Sequence, residues 1–268
     1  MMPAQAMFIR LIFPAPNVIY HHEALRRLQV KRQGKESLKS MHKIKDIFMD
    51  FALPVAILLM LTFILSVMNA DLLLAARFYS PAEGWPWQNA RPWIDLYNYG
   101  NIPPLMLGLY GLIVLILGFF IRRIASYRKV GLFLVVYLVL GPGLVINTVF
   151  KDHWGRPRPV EIKNFGGTEK YLPVWERGTP GNGYSFPSGH AAVGFFLLAP
   201  FFFLRRQSPK WAAFFMLLGL AYGAFMGIGR MAQGGHFATD VLWAWGLTYL
   251  TGLILSYIFR FDKRLKFS

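Results

Sequence analysis

The chain has 268 residues, of which 55% are hydrophobic and only 16% are charged. A soluble domain carries charge on about a quarter of its residues. The apolar residues also gather into six blocks: residues 47–68, 103–121, 130–149, 191–204, 211–228 and 241–259. All but the fourth, which is shorter, are near the roughly 20 residues that cross a bilayer as a helix. A soluble bundle of buried helices is the alternative, but six such blocks are hard to bury in water. The pattern therefore predicts an all-α integral membrane bundle of six transmembrane helices.

The net charge of +16 raises the question of nucleic-acid binding, so the distribution of the charge matters. Of the 29 Lys and Arg residues, 20 lie in four segments that share one side of the membrane if six helices alternate: residues 10–45, 122–129, 205–210 and 260–266. Cytoplasmic segments retain Lys and Arg. The charge therefore predicts that both termini are cytoplasmic, and no nucleic-acid partner is expected.

Residues 1–45 are polar and basic, and we interpret them as a cytoplasmic N-terminal extension before a membrane domain at residues 46–268. Met41 stays open as an alternative translation start. The first outer gap, residues 69–102, contains Trp85, Trp93 and Tyr97, whose rings favour the membrane–water interface. The chain contains no cysteine, which excludes disulfides and thiolate metal sites.

Three polar segments stand where apolar blocks end, at residues 151–159, 184–190 and 229–240. The topology derived from hydropathy and charge places all three on the outer face of the membrane. We therefore expect them to converge on one site.

The cations and small residues of these segments suit a phosphate group. Lys151, Arg158 and Arg230 place three positive charges beside the membrane, and guanidinium forks match phosphate oxygens. Ser188 and Gly189 precede a predicted helix, whose free amide groups favour an anion. These five residues are the predicted phosphate-binding set.

Two imidazoles and a carboxylate add the chemistry of phosphoryl transfer. His190 and His236 exchange protons near neutral pH. Asp240 follows His236 by four residues, so the two share a face if a helix begins there, and a carboxylate bonded to one ring nitrogen leaves the other free to attack phosphorus. His190 would then protonate the leaving oxygen and activate water. Arg156 is a possible auxiliary contact.

These residues resemble the three motifs of the type 2 phosphatidic acid phosphatase superfamily. Lys151 and Arg158 match its Lys-x6-Arg-Pro motif, and residues 187–190 match its Pro-Ser-Gly-His motif. Residues 230–240 match the third motif, Ser-Arg-x5-His-x3-Asp, except that Gly229 replaces the serine. The resemblance covers the last four predicted helices well and the first two only generally.

The resemblance implies a metal-independent phosphatase without a cofactor, with a phosphohistidine on His236 and with His190 and Asp240 as the other catalytic residues. It implies a lipid phosphate or diphosphate as substrate. Phosphatidic acid, phosphatidylglycerol phosphate, undecaprenyl diphosphate and lipid A remain candidates, and the last two are slightly favoured. With the charge distribution, it predicts a multi-pass protein of a bacterial inner membrane, with its site facing the periplasm and its oligomeric state unknown.

Three other functions stay open. A phosphotransferase would pass the phosphate to a second acceptor instead of to water. Vanadium-dependent halide oxidation uses a similar oxyanion cradle, but six membrane helices argue against it. A transporter or a silent scaffold would be favoured by ionisable residues inside the spans. The apolar blocks contain almost none apart from Asp50 at one edge, which favours an enzyme with an interfacial site.

Overall fold

The computed structural model describes residues 44–45 and 47–261. Within these residues the chain is helical and contains no β-strand, only two isolated bridges. The helices, in chain order, are α1 Ile47–Val67, α2 Ala70–Ala76, α3 Trp93–Tyr99, α4 Ile102–Phe120, α5 Arg128–Leu138, α6 Asp152–Trp154, α7 Gly189–Phe195, α8 Ala199–Leu204, α9 Pro209–Ala232 and α10 Ala238–Ile258. The predicted extension at residues 1–45, with Met41, lies almost entirely outside the described residues.

Five helical stretches are long and apolar enough to cross a membrane: Ile47–Val67, Trp93–Phe120, Ala125–Glu161, Pro209–Ala232 and Ala238–Ile258. A shorter apolar helix, Gly189–Leu204, corresponds to the fourth predicted block. The all-helical membrane architecture is therefore confirmed. The count of six crossings and the cytoplasmic position of both termini stay predictions.

The contacts within the chain divide the protein into two compact units, with the boundary between Leu53 and Pro54. All features described below lie in the second unit, which begins at Pro54. In that unit, α5 changes character at Val139 and continues as a π-helix to Lys151. Pro142 lies inside this segment and lacks an N–H to donate. The side-chain amide of Asn147 donates to the Pro142 carbonyl at 2.7 Å. Lys151 is the last residue of this π-helix.

The two long loops predicted to be outer, residues 69–102 and 151–187, fold against the helix ends, and we call them the first and second outer loops after that prediction. The first contains α2 and α3, and the second contains two 3-10 turns, Pro159–Glu161 and Lys163–Phe165. A small core of buried side chains joins them to the start of α10: Ala75, Ile162, Phe165 and Phe237. This core stacks both loops over one end of the helices.

Candidate active site

The three polar segments meet at this end of the helices, as the sequence predicts. The Ser185 carbonyl of the second segment lies 2.5 Å from Nδ1 of His236 in the third. The Ser188 amide donates to the Asp240 carbonyl at 3.2 Å. Lys151, from the first segment, reaches the start of α7, where its Nζ would lie 3.4 Å from a Cβ placed on Gly189. A single site therefore contains residues of all three segments.

His236 lies in the turn between α9 and α10 and is only 2% exposed. A carbonyl oxygen only accepts hydrogen bonds, so the contact with Ser185 places the ring proton on Nδ1 and leaves the lone pair on Nε2. Burial, followed by the charges of Arg230, Lys151 and Arg158, lowers the pKa of His236 well below its ordinary value. The imidazole is therefore neutral at neutral pH and has one free nitrogen.

Asp240 orients this histidine indirectly, which differs from the predicted direct contact. Helix α10 begins at Ala238, after His236, so the two side chains do not share a helical face. Asp240 Oδ2 lies 3.9 Å from His236 Nδ1, too far for a hydrogen bond. Instead, Oδ2 accepts from Ser185 Oγ at 2.6 Å and from the Phe237 amide at 2.7 Å. Asp240 thereby holds Ser185, whose carbonyl holds His236.

Arg156 has other partners than the auxiliary phosphate contact predicted from the sequence. Its side chain is fully buried and bridges two buried carboxylates, with Nη1 2.5 Å from Asp240 and Nη2 2.7 Å from Asp71. Nη1 also donates to Thr239 Oγ1, and Nε donates to the Leu172 carbonyl. Because every guanidinium nitrogen is engaged away from solvent, Arg156 belongs to a structural cluster beneath the site.

Asp71 comes from α2 and was not predicted as part of this region. Its side chain is 4% exposed and accepts from the Thr239 amide at 2.9 Å and from Thr239 Oγ1 at 2.6 Å. The Tyr171 hydroxyl donates to it at 3.3 Å. Burial, with the charge of Asp71 next, raises the pKa of Tyr171, so its hydroxyl remains a donor. We call Arg156, Asp71, Asp240 and Thr239 the buried ion cluster.

The three predicted phosphate-binding cations surround His236 without carboxylate partners. No ion pair of Lys151, Arg158 or Arg230 is present among the residues that the structure describes. The Nε atoms of Arg158 and Arg230 are buried and make no hydrogen bond within the described chain. We call these three residues the cationic cup. Unpaired guanidinium nitrogens in such a place have the geometry to bind an oxyanion.

The start of α7 adds amide groups to the cup. Ser188 is fully buried, and its Oγ accepts from the Ala191 amide at 3.4 Å as the N-cap. A Cβ on Gly189 would lie 2.6 Å from the Asn147 side-chain oxygen, so glycine permits the close approach of Asn147 and Lys151. His190 follows directly in the first turn of the helix.

His190 packs against α3, a contact that the sequence did not predict. Its ring stacks on Tyr97 with centroids 4.7 Å apart and an interplanar angle of 21°. Tyr97 also contacts Arg230, whose Cζ lies 4.6 Å from the ring centroid. His190 and Arg230 line one narrow cleft with residues of α3 and α9, including Trp93, Tyr97 and Met226.

The amino-acid sequence is similar to those of known phosphatases. The PAP2 superfamily matches residues 129–264. The chain is 33% identical over 199 residues to a lipid A 4'-phosphatase of Francisella tularensis subsp. novicida, covering 70% of this chain and 86% of that protein. It is 29% identical over 149 residues to phosphatidylglycerophosphatase B of Bacillus subtilis, covering 52% of this chain and 63% of that protein.

A solved structure shares the fold. The crystal structure of a transmembrane PAP2 type phosphatidylglycerolphosphate phosphatase from Bacillus subtilis superposes with a TM-score of 0.52 at 22% identity. The match covers 81% of this chain and 100% of that chain. The helical architecture described above is therefore one that occurs in a membrane phosphatase.

Proposed function

Because this chain belongs to the PAP2 superfamily and is a membrane lipid phosphatase, we propose that it forms a phosphohistidine on His236 and acts at the non-cytoplasmic face. The observation that carries the proposal is the state of the His236 ring. Its Nδ1 is held by the Ser185 carbonyl at 2.5 Å, and its other nitrogen is free beside the cationic cup. A neutral, oriented imidazole among cations is what attack on a phosphate requires.

In the first step, Nε2 of His236 attacks phosphorus in line and the bond from phosphorus to the lipid oxygen breaks. His190, which is protonated when the phosphate dianion of the substrate is bound beside it, gives its proton to that leaving oxygen. Lys151, Arg158 and Arg230, with the amides at the start of α7, stabilise the charge on the three equatorial oxygens. The cup thus supplies electrostatic stabilisation where negative charge is spread in the transition state.

In the second step, His190 takes a proton from water, and the water oxygen bonds to phosphorus while the phosphorus–nitrogen bond breaks. Inorganic phosphate leaves, and His236 returns to its neutral form. Asp240 takes part through Ser185, which it binds at 2.6 Å, and keeps the His236 ring oriented in both steps. Its role in this proposal is positioning.

We propose a lipid A-type substrate, a phosphate monoester on an acylated sugar, presented by the outer leaflet of a bacterial inner membrane. The Francisella relative, which this chain matches over 86% of that protein's length, bears the name of a lipid A 4'-phosphatase. The concentration of Lys and Arg in the segments between the opposite helix ends supports cytoplasmic termini and a site on the periplasmic face. Undecaprenyl diphosphate is the second substrate to compare.

The test is a phosphate-release screen with purified protein and a chelator, using lipid A, undecaprenyl diphosphate, phosphatidylglycerol phosphate and phosphatidic acid. We expect release that survives chelation and is fastest with lipid A. Rapid acid-free quenching with ³²P-labelled substrate should trap label on the protein, in a bond that acid hydrolyses and alkali preserves. Strict metal dependence, or label that never appears on the protein, would overturn the mechanism. A phosphorylated acceptor in place of free phosphate would identify a phosphotransferase.

A further inference from the structure

We propose that Tyr97 is a positioning residue that holds both His190 and Arg230 in their working orientations. The inference rests on the function proposed above and adds a residue outside the three motifs. Tyr97 lies in α3, in the first outer loop, far along the chain from both partners. It therefore acts across a tertiary contact that no motif contains.

The ring of Tyr97 contacts both side chains. The His190 imidazole stacks nearly parallel to it, with centroids 4.7 Å apart. The Arg230 guanidinium carbon lies 4.6 Å from the ring centroid, within the range of a cation–π interaction. A single flat ring thus sets the plane of an imidazole and the position of a guanidinium at the same time.

Helix α3 is itself fastened to the outer end of α9. Gln233, which hydrogen-bonds Arg230, donates through Nε2 to the Gln88 carbonyl at 3.0 Å and to the Trp93 carbonyl at 3.3 Å. The Tyr222 hydroxyl donates to the Gly100 carbonyl at 2.8 Å. These bonds join the first outer loop to the helix that carries Arg230, so Tyr97 is a fixed wall of the site.

Gly229 provides the space for this docking. A Cβ at position 229 would lie 3.0 Å from Leu96 Cδ2 and 3.2 Å from Trp93 Cε3, both in α3. This is the position where the third motif of the resembling family has serine. The departure from the motif therefore coincides with the close approach of the helix that presents Tyr97.

Loss of the ring should impair the chemistry more than binding of the substrate. A displacement of about 1 Å in a catalytic group costs on the order of 100-fold in rate, and general acid catalysis itself contributes about 100-fold or more. Tyr97→Leu removes both ring contacts. Tyr97→Phe keeps them and should stay within about 3-fold of the parent, since only the hydroxyl is lost.

The experiment compares Tyr97→Leu and Tyr97→Phe with the matched control Tyr99→Leu, whose parent side chain lies in the same helix and is 63% exposed. We would measure kcat/KM for a short-chain alkyl phosphate and for p-nitrophenyl phosphate. The aryl leaving group departs without a proton, so a displaced His190 should matter less for it. We expect Tyr97→Leu to lose about 100-fold on the alkyl ester and about 10-fold on the aryl ester.

Equal losses on the two esters, or a Tyr97→Leu variant that behaves like Tyr99→Leu, would overturn the role of Tyr97. If Tyr97→Leu does not fold, Gly229→Ser tests the same idea with the ring intact, because it pushes α3 away from α9. Its selective loss on the alkyl ester supports the proposal, and unchanged selectivity overturns it. His236→Gln distinguishes the two proposals: its retained activity would sink the proposed mechanism, whatever Tyr97 does.

Discussion

The cationic cup and the buried ion cluster each contain an arginine, and these two arginines, Arg158 and Arg156, are only two positions apart in the chain. They differ in their partners. Arg156 in the cluster is fully buried between the carboxylates of Asp71 and Asp240, at 2.7 and 2.5 Å. Arg158 in the cup has a buried Nε without a hydrogen-bond partner in the described chain. One guanidinium is satisfied by the protein, and the other is left for a ligand.

The difference shows how a fold separates scaffold from site. A buried guanidinium whose donors all meet protein acceptors stabilises the position of those acceptors, here Asp240 and through it Ser185. A guanidinium without a carboxylate raises the local positive potential and is costly until an anion binds. In this protein the satisfied arginine holds Asp240, which holds Ser185 and through it His236, while Arg158 keeps its side chain for a ligand.

The largest expected effect comes from the nucleophile that the cup surrounds. His236→Gln should lower phosphate release by about 10⁴-fold or more, because the amide cannot form the covalent intermediate. The variant should still bind the oxyanion, since the three cations remain. Phosphate release from purified protein and inhibition by vanadate would measure both properties. A variant that releases phosphate at a tenth of the parental rate would rule out His236 as the nucleophile.

The next largest effect should appear in the cluster, as a loss of stability. Arg156→Met leaves Asp71 and Asp240 buried without their counter-charge, which costs about 3–5 kcal/mol for a broken buried pair. Thermal unfolding in detergent would measure the change. Arg158→Met, two residues later, is the matched control and should unfold like the parent. Equal destabilisation by both substitutions would contradict the division into cluster and cup.

For Arg158 of the cup we expect a loss of activity without a loss of stability. Arg158→Gln should lower kcat/KM by about 100-fold, the usual cost of losing one oxyanion donor, while its thermal unfolding stays near that of the parent. Steady-state kinetics with the preferred lipid would show it. An exposed cation of the segment joining α8 and α9, Arg206, gives the control variant Arg206→Gln. Should Arg158→Gln and Arg206→Gln have the same activity, Arg158 would not be a phosphate contact.

The sequence predicted the helices of this protein well, because apolar length is a local property. The helices begin and end near the six apolar blocks, and the shortest block is also the shortest apolar helix, Gly189–Leu204. The three polar segments that contain the motifs also meet at one end of the helices, as the sequence predicts. Their spacing could select Arg158 over Arg156 as a match, but only the carboxylates around Arg156 explain its separate role.

The sequence did not reveal contacts that form between distant segments. Asp71 and Tyr97 lie in the first outer loop, where aromatic composition indicated only a membrane interface. One signal was available: Asp71 is a carboxylate beside an apolar run, Leu72 to Ala76, on the side where the buried Arg156 needs a counter-charge. The sequence also did not show that α10 begins at Ala238. Because of this start, His236 lies outside the helix and makes no direct hydrogen bond to Asp240.

The smallest expected effect is a change in the pH dependence of activity, caused by the positive charges of the cup. Burial and the charges of Arg230, Lys151 and Arg158 lower the pKa of His236, so its protonation should limit activity only well below about pH 6.5, the ordinary value. The unfolded chain takes up this proton at about pH 6.5, so the folded state loses stability as pH falls from there toward the lowered pKa.

Arg230→Gln removes the largest of these charge contributions and should raise the pKa of His236 toward its ordinary value. The acid limb of kcat/KM, normalised to its plateau, should then move to higher pH, and the loss of stability in acid should become smaller. Profiles of the parent, Arg230→Gln and Arg206→Gln over the acid range would compare a cup cation with an exposed one. A limb that stays in place in Arg230→Gln would mean that the cup does not set the protonation of His236.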